Sequence, residues 1–284
     1  MGLNAAYVLV EAGAGFLTGS LALIADAAHN LTDVAGLLIA WGAAALATRA
    51  GNGAFTFGYG RATILAAMLN AIAILVGVVV VVWAAAQRFS EPVEVPGLTI
   101  LLIALAGIAV NTGSALLFMR SQRDDLNAKG AFLHMAADAI VSGAVVAAAA
   151  GIMVTGWQSL DPAVAIAVSL LIAWTAWGLL RHSLRLELDG VPHDIDPKAV
   201  ADWLAAQKGV RDVHDLHIWA LSTTRNALAV HLVWDGKDRD ALLDYLADEL
   251  HDRFGISHTT VQLEARPCER ASLCDYPTTV VGNA

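Results

Sequence analysis

The sequence predicts a membrane protein in two parts, six apolar helices followed by a small α+β domain. Three observations carry this. The 284 residues are 57% hydrophobic and 15% charged, with a mean hydropathy of +0.60, whereas a soluble chain carries about 25% charged residues. The charges are also unevenly spread, with eight Lys/Arg and ten Asp/Glu up to Glu187, then nine and sixteen over the shorter remainder. After "LELDGVP", finally, long apolar runs give way to short alternating ones. The expected division is a transmembrane domain over 1–188, a cytoplasmic domain over 189–267 and an irregular tail over 268–284.

The six apolar segments lie near 3–18, 21–48, 61–88, 97–120, 127–155 and 162–186. A helix crosses a bilayer in about 20 residues. The first segment is short, which suits either a chain that begins inside a longer helix or a helix that tilts little and ends early. Arg49 and Arg61 flank the second connection, Arg120, Arg123 and Lys129 the fourth, and Arg181 and Arg185 follow the last span, with only Arg88 on the other side. The positive-inside rule therefore places both termini in the cytoplasm. The start, "MGLNAAYVLVEAG", has neither the basic region nor the cleavage site of a signal peptide.

In the remainder, "PKAVADWLAAQ" reads as an amphipathic helix capped by Asp196. "DVHDLHIWAL" and "NALAVHLVWD" read as strands joined by "STTR", "DRDALLDYLADELHDRF" as a second helix and "ISHTTVQLEA" as a third strand. This αββαβ order suits two helices on one face of a small sheet. A net charge of −7 from Leu188 onward argues against a nucleic-acid partner, because phosphate binding needs clustered Lys/Arg. Cys268 and Cys274, placed in the cytosol by this topology, suit free thiols or metal ligation rather than a disulfide.

Inside the apolar segments, "HNLTD" and "HMAAD" each place a histidine and an aspartate four residues apart: His29 with Asp33, and His134 with Asp138. On a helix such residues stack one turn apart on one face. Two such faces brought together present two imidazole nitrogens and two carboxylates, a tetrahedral set that zinc accepts. An Asp at the centre of a bilayer helix costs roughly 2.5–3.5 kcal/mol on insertion scales, so two accidental pairs are improbable and ionisable groups here mark an ion or proton path. Asp26, three residues before His29, reads either as a proton acceptor or partner of that histidine or as a helix-start carboxylate. Glu11 reads as structural or gating, and Asn70 and Asn111 as interhelical hydrogen-bond partners.

Together, "GSLALIADAAHNLTDVAGLLIAWGA", "FGYGRATILAAMLNA", "LHMAADAIVS", "LDPAVAIAVSLLIAWTAWGLL" and "VHDLHIWAL" resemble the cation diffusion facilitator family, in its zinc-transporting branch of metal/proton antiporters. The resemblance runs from about Ala5 to Arg266. It implies six transmembrane helices, a ferredoxin-like cytoplasmic domain, a homodimer in the lipid bilayer, and export of divalent metal against protons through His29, Asp33, His134 and Asp138. A bacterial inner membrane is the expected location. Three features depart from the family pattern: the first helix lacks the N-terminal extension of members, Thr63 stands where Glu is usual, and "ATRAGNGAFTFGYG" has no histidine, so the metal site some members place there is not expected.

In the strands, a hairpin turning around Ser222 and Thr223 sets His214 opposite His231, close enough for the two imidazoles to share a metal. His258 and Glu264, six apart, share a face of the third strand, whereas His214 and His217 point to opposite sides and His217 reads as a packing residue. The resemblance assigns cytosolic metal binding to His214, His231, His258 and Glu264, and added thiols to Cys268 and Cys274. Zinc is the expected substrate and cytoplasmic ligand, with cobalt and cadmium as rivals. An intramembrane metalloenzyme is disfavoured, since no HExxH occurs; a membrane metal sensor that does not transport remains an alternative reading.

Overall fold

The computed structural model describes residues 2–91, 93–118 and 126–266, without the side chains of 2–5, 117–118, 126–131 and 134. Arg120, Arg123, Cys268 and Cys274 lie outside the described residues, as do the side chains of Lys129 and His134. Six apolar helices come first: α1 (Gly2–Thr18), α2 (Leu21–Ala47), α3 (Ala62–Ser90), α4 (Gly97–Phe118), α5 (Leu126–Thr155) and α6 (Leu160–Glu187). α7 (Pro197–Ala205), β1 (Val210–Ala220), β2 (Asn226–Trp234), α8 (Arg239–Phe254) and β3 (Ile256–Glu264) follow in the αββαβ order. Five of the six, α2 to α6, are long and apolar enough to cross a membrane, and α1 is a shorter apolar helix. Their outward faces carry Leu17 at 91% exposure, Val154 at 86% and Trp174 at 81%. So much bare apolar surface is tolerable only with lipid as solvent, and helices suit that solvent because their backbone groups bond internally.

By compactness the chain divides into Met1–Ile39 with Leu69–Leu180, and Ala40–Met68 with Arg181–Ala284, so the division falls within α2, α3 and α6. The first unit packs small side chains: Ala22, Leu23, Ala25, Ala85, Ile100, Ala104, Val145, Ala149 and Ala165 form one buried cluster. Small residues let helices approach closely, which is how they gain van der Waals contact where lipid removes the hydrophobic drive. At Gly36 the approach is so close that a Cβ would stand 2.6 Å from Asn70 Oδ1, so Asn70 packs against the α2 backbone. The N-terminal end of α2 is held by α6: Asp161, 2% exposed, accepts from Ser20 Oγ and, at 2.7 Å, from Leu21 N–H. These are donors that a helix start leaves without an intrahelical partner. Nearby, Arg88 Nη1 donates to the Gly19 carbonyl at 2.9 Å.

In the second unit the three strands are ordered β1-β2-β3, with β1 antiparallel and β3 parallel to β2. Asp196 caps α7 by accepting from Lys198 N–H at 2.9 Å, Asp238 caps α8 by accepting from Ala241 N–H at 3.1 Å, and Gly255 ends α8 in the left-handed region at φ 65°. Val200, Leu204, Leu246 and Leu250 close over Val213, Leu228, Val230 and Leu232 of the sheet as one core. Two contacts fix the start of α3 within this unit. Arg61 pairs with Asp189, and Thr63 Oγ1 accepts from Thr223 N–H at 3.0 Å. Thr63 therefore makes a neutral hydrogen bond to the hairpin tip, and the ion pair here is made by Arg61, two residues earlier.

Candidate metal centres

α2 contributes His29 and Asp33 to one face, and α5 brings Asp138 to the same point. His29 Nε2 lies 3.6 Å from Asp33 Oδ2 and 3.7 Å from Asp138 Oδ1, and one ligand atom of each residue lies within 4.8 Å of the others. Ligands held about 2.0–2.2 Å from a tetrahedral zinc stand roughly 3.3–3.6 Å apart, so this spacing needs little adjustment to hold an ion. Asp138 is buried, its side chain 4% exposed. His134 lies in α5 one turn before Asp138, and its side chain is outside the described set. A cavity of about 20 Å³ beside His29, lined by Ala28, Thr32, Gly77, Val78 and Ser169, has room for about one water.

A buried hydrogen-bonded chain stands behind this cluster. Ser142 Oγ donates to Asp26 Oδ2 at 3.0 Å, and Asn30 Nδ2 lies 3.4 Å from both Asp26 Oδ1 and Glu11 Oε2. Tyr7 donates to Glu11 Oε1 at 2.8 Å, its hydroxyl also 3.2 Å from the Ile103 carbonyl. Asp26 is therefore fully buried rather than a helix-start carboxylate at the interface, and Glu11 joins α1 to α2. Tyr7, Asn30 and Ser142 are the members that sequence reading missed; Asn30, four residues after Asp26, was legible by helical spacing. Asn111 does not behave as an interhelical bonding residue at its amide nitrogen, which is buried with no hydrogen-bond partner among the described residues.

On the sheet, His214 pairs directly with His231, their rings 5.4 Å apart and nearly perpendicular. Glu264 reaches both from β3: Oε2 lies 3.4 Å from His214 Nε2 and Oε1 lies 3.2 Å from His231 Nδ1. These three form the second group able to hold an ion. His214 Nε2, His231 Nδ1 and Glu264 Oε2, which face one another, are buried and lack hydrogen-bond partners among the described residues. Unpaired buried polar atoms are costly, and three on one point is the arrangement a cation relieves.

Two strand residues depart from expectation. His258 shares its strand with Glu264 but is six residues away, about 20 Å along an extended chain. It sits beside Ala227, edge-on to Phe57 at 5.3 Å, so the structure does not bring it to the cluster. His217, expected on the opposite face as a packing residue, lies on the same side as His214. The register changes between His214 and His217, which face His231 and Ala229, so three steps on β1 match two on β2. Such a bulge re-aims side chains. Asp215 within it takes φ 52°, and His217, 43% exposed, has Nε2 3.0 Å from Asp215 Oδ1. A cavity of about 860 Å³, lined among others by Phe57, Arg61, Glu187, His217 and Trp219, has none of the six candidate ligand residues in its lining.

Comparison with known proteins follows the same two halves. Residues 1–186 match the family model for the cation efflux transmembrane domain, and residues 192–266 match that for the cation efflux protein cytoplasmic domain. The zinc transporter ZitB of Escherichia coli is 40% identical over 270 residues, 94% of this chain and 86% of that protein. The metal cation efflux system protein CzcD of Cupriavidus metallidurans is 37% identical over 278 residues, 97% of this chain and 88% of its own length. A cadmium, cobalt and zinc/H(+)-K(+) antiporter of Bacillus subtilis is 34% identical over 276 residues, 94% and 88% of the two chains. Apolar spans, an ionisable cluster among them and family matches over both halves lead to one conclusion: the chain belongs to the cation diffusion facilitator family, as a multi-pass membrane transporter for the efflux of metal cations.

Proposed function

We propose that this transporter exports zinc from the cytosol in exchange for protons through a four-ligand site of His29, Asp33, His134 and Asp138. The convergence of His29, Asp33 and Asp138, drawn from two helices within 4.8 Å inside an apolar bundle, is the observation that carries the reading. His134 belongs to it by its place one turn before Asp138. Two imidazoles with two carboxylates suit zinc, whereas manganese and iron accept more oxygen-rich sites. Coupling follows from ligation itself: a metal needs neutral imidazole and ionised carboxylate, so bound zinc and bound protons exclude each other. Asp26, held by Ser142 and Asn30, is the proton acceptor nearest the site in sequence. The protein works as a homodimer in a bacterial inner membrane with both termini cytoplasmic. His214, His231 and Glu264 then form a cytosolic zinc site, to which Cys268 and Cys274 can add thiols.

The test is transport by the purified chain in liposomes carrying zinc and pH indicators. Zinc entry coupled to proton exit, lost in Asp138→Ala while the protein remains folded, is the expected result. Unchanged zinc flux in that variant removes the site assignment. Cobalt or cadmium as the preferred ion is the second reading, favoured by the metals named in the Bacillus relative, and competition in the same liposomes decides between them.

A further inference from the structure

The sheet cluster has a second layer of carboxylates, and that layer sets which nitrogen of each imidazole faces the ion. His214 Nδ1 lies 2.9 Å from Asp212 Oδ2. An ionised carboxylate can only accept, so this contact requires the proton of neutral His214 on Nδ1 and leaves the Nε2 lone pair facing Glu264. His231 is oriented the other way round. Its Nε2 lies 3.5 Å from Asp215 Oδ2, while Nδ1 faces Glu264. Both inward nitrogens are buried without hydrogen-bond partners and face the Glu264 carboxylate, at 3.4 Å and 3.2 Å, while Asp212 and Asp215 stand at the outward nitrogens. With a cation held by Glu264, protons on the two outward nitrogens meet Asp212 and Asp215 and leave both inward lone pairs available.

Asp215 reaches this position because of the bulge. In a regular strand it would point away from His214, since successive side chains alternate. The extra residue in β1 and the left-handed φ of 52° turn its carboxylate back, where Oδ1 meets His217 and Oδ2 meets His231. Asp is one of the few side chains besides Gly that visit this backbone region readily. The bulge thus links His217, Asp215 and His231 in a row that ends at the ion position.

We propose that Asp212 and Asp215 are positioning residues of the cytosolic metal site, fixing His214 to ligate through Nε2 and His231 through Nδ1. This rests on reading His214, His231 and Glu264 as a metal site. Partners of this kind orient ligating histidines and raise their basicity, and their loss typically costs about 10- to 100-fold in metal affinity.

The test uses the full chain in detergent with Asp33→Ala and Asp138→Ala in place, so that the membrane cluster does not contribute, and titrates zinc against a chromogenic chelator. Asp212→Ala and Asp215→Ala should each weaken binding about 10- to 100-fold. Asp212→Asn and Asp215→Asn, whose amide oxygen still accepts from the ring N–H, should recover most of it. Binding unchanged by both alanine variants, or asparagine variants as weak as alanine, overturns the proposal. ¹⁵N-histidine NMR of the zinc-loaded chain should show His214 bound through Nε2 with its proton on Nδ1 and His231 bound through Nδ1 with its proton on Nε2; the opposite attachment also overturns it. Glu264→Ala separates the two levels. If that change leaves zinc binding intact, the cluster is not a metal site and the positioning role falls with it. If Glu264→Ala abolishes binding while the Asp212 and Asp215 variants do not weaken it, only the positioning role is lost.

Discussion

The two ligand clusters solve one coordination problem with opposite backbones. In the helical cluster, His29 and Asp33 come together through the spacing of a single helix, and only one further helix has to be placed correctly. On the sheet no two ligands come from one strand: His214, His231 and Glu264 arrive from β1, β2 and β3, and their meeting depends on register. The helical cluster lies among apolar helices beside a fully buried Asp26 and Glu11, its own side chains 4% to 23% exposed. The sheet side chains are similarly covered, 13% to 20% exposed, but they belong to the charged domain, with the half-exposed carboxylate of Asp212 beside them. A charge enclosed by helices must be neutralised by its own few ligands, whereas water shares that task at the sheet. Changes at the first should therefore act all-or-none, and changes at the second by degrees.

Asp138→Ala is the sharpest way to test that contrast. Removing a buried carboxylate ligand should lower zinc transport at least about 100-fold, more than the loss of an outer partner, while Glu264→Ala leaves measurable transport in the same liposome assay. Equal losses from both changes would erase the distinction. Next in size is pH. Zinc affinity of the helical site, measured by titration in a Glu264→Ala chain, should fall more than about tenfold between pH 7.5 and 5.5, because protons compete for imidazoles that titrate near 6.5 when unperturbed. An affinity that does not change over that range would place coupling elsewhere, with Asp26 and Glu11 the residues to change next.

A smaller effect is expected on selectivity. Replacing His29 by Asp makes the helical site harder and more anionic, so competition curves should move a few-fold, about 3- to 10-fold, toward cadmium or manganese. Identical curves for variant and parent would mean that His29 does not set the choice of metal. Smallest is His217→Ala, whose ring meets the sheet site through Asp215. Zinc affinity of that site should change by less than about 3-fold, below the range of a direct outer partner. A loss as large as that of Asp215→Ala would make His217 a ligand and enlarge the site.

Much of this was legible in the residues, and the parts that were not share a cause. Helical spacing alone pairs His29 with Asp33, since one turn of backbone fixes their separation. Strand pairing also placed His214 opposite His231. Spacing also removes His258 from Glu264, because six residues of strand span about 20 Å, a distance that attention to shared faces passed over; what it could not reveal was the bulge that brings His217 and Asp215 to the ligand side. A bulge leaves only a faint trace in a sequence, here an Asp able to take a positive φ, because alternation is read on the assumption that no residue is added. Nor could spacing show that Asn30 would also reach Glu11, because that contact depends on how α1 lies against α2.

The anchoring of α2 by Asp161 also bears on how the chain is made. Ser20 and Asp161 are 141 residues apart in sequence. During synthesis the first turn of α2 enters the membrane long before its acceptor exists, and the N–H groups of Leu21 and Ala22 must rely on water or headgroups at the interface until α6 arrives. Assembly of the bundle is therefore completed by its last helix. A nascent chain halted before Asp161 holds all the residues of both histidine–aspartate pairs, yet it lacks the group that fixes the end of the helix bearing His29 and Asp33, and quality-control proteases should meet it as an unfinished bundle.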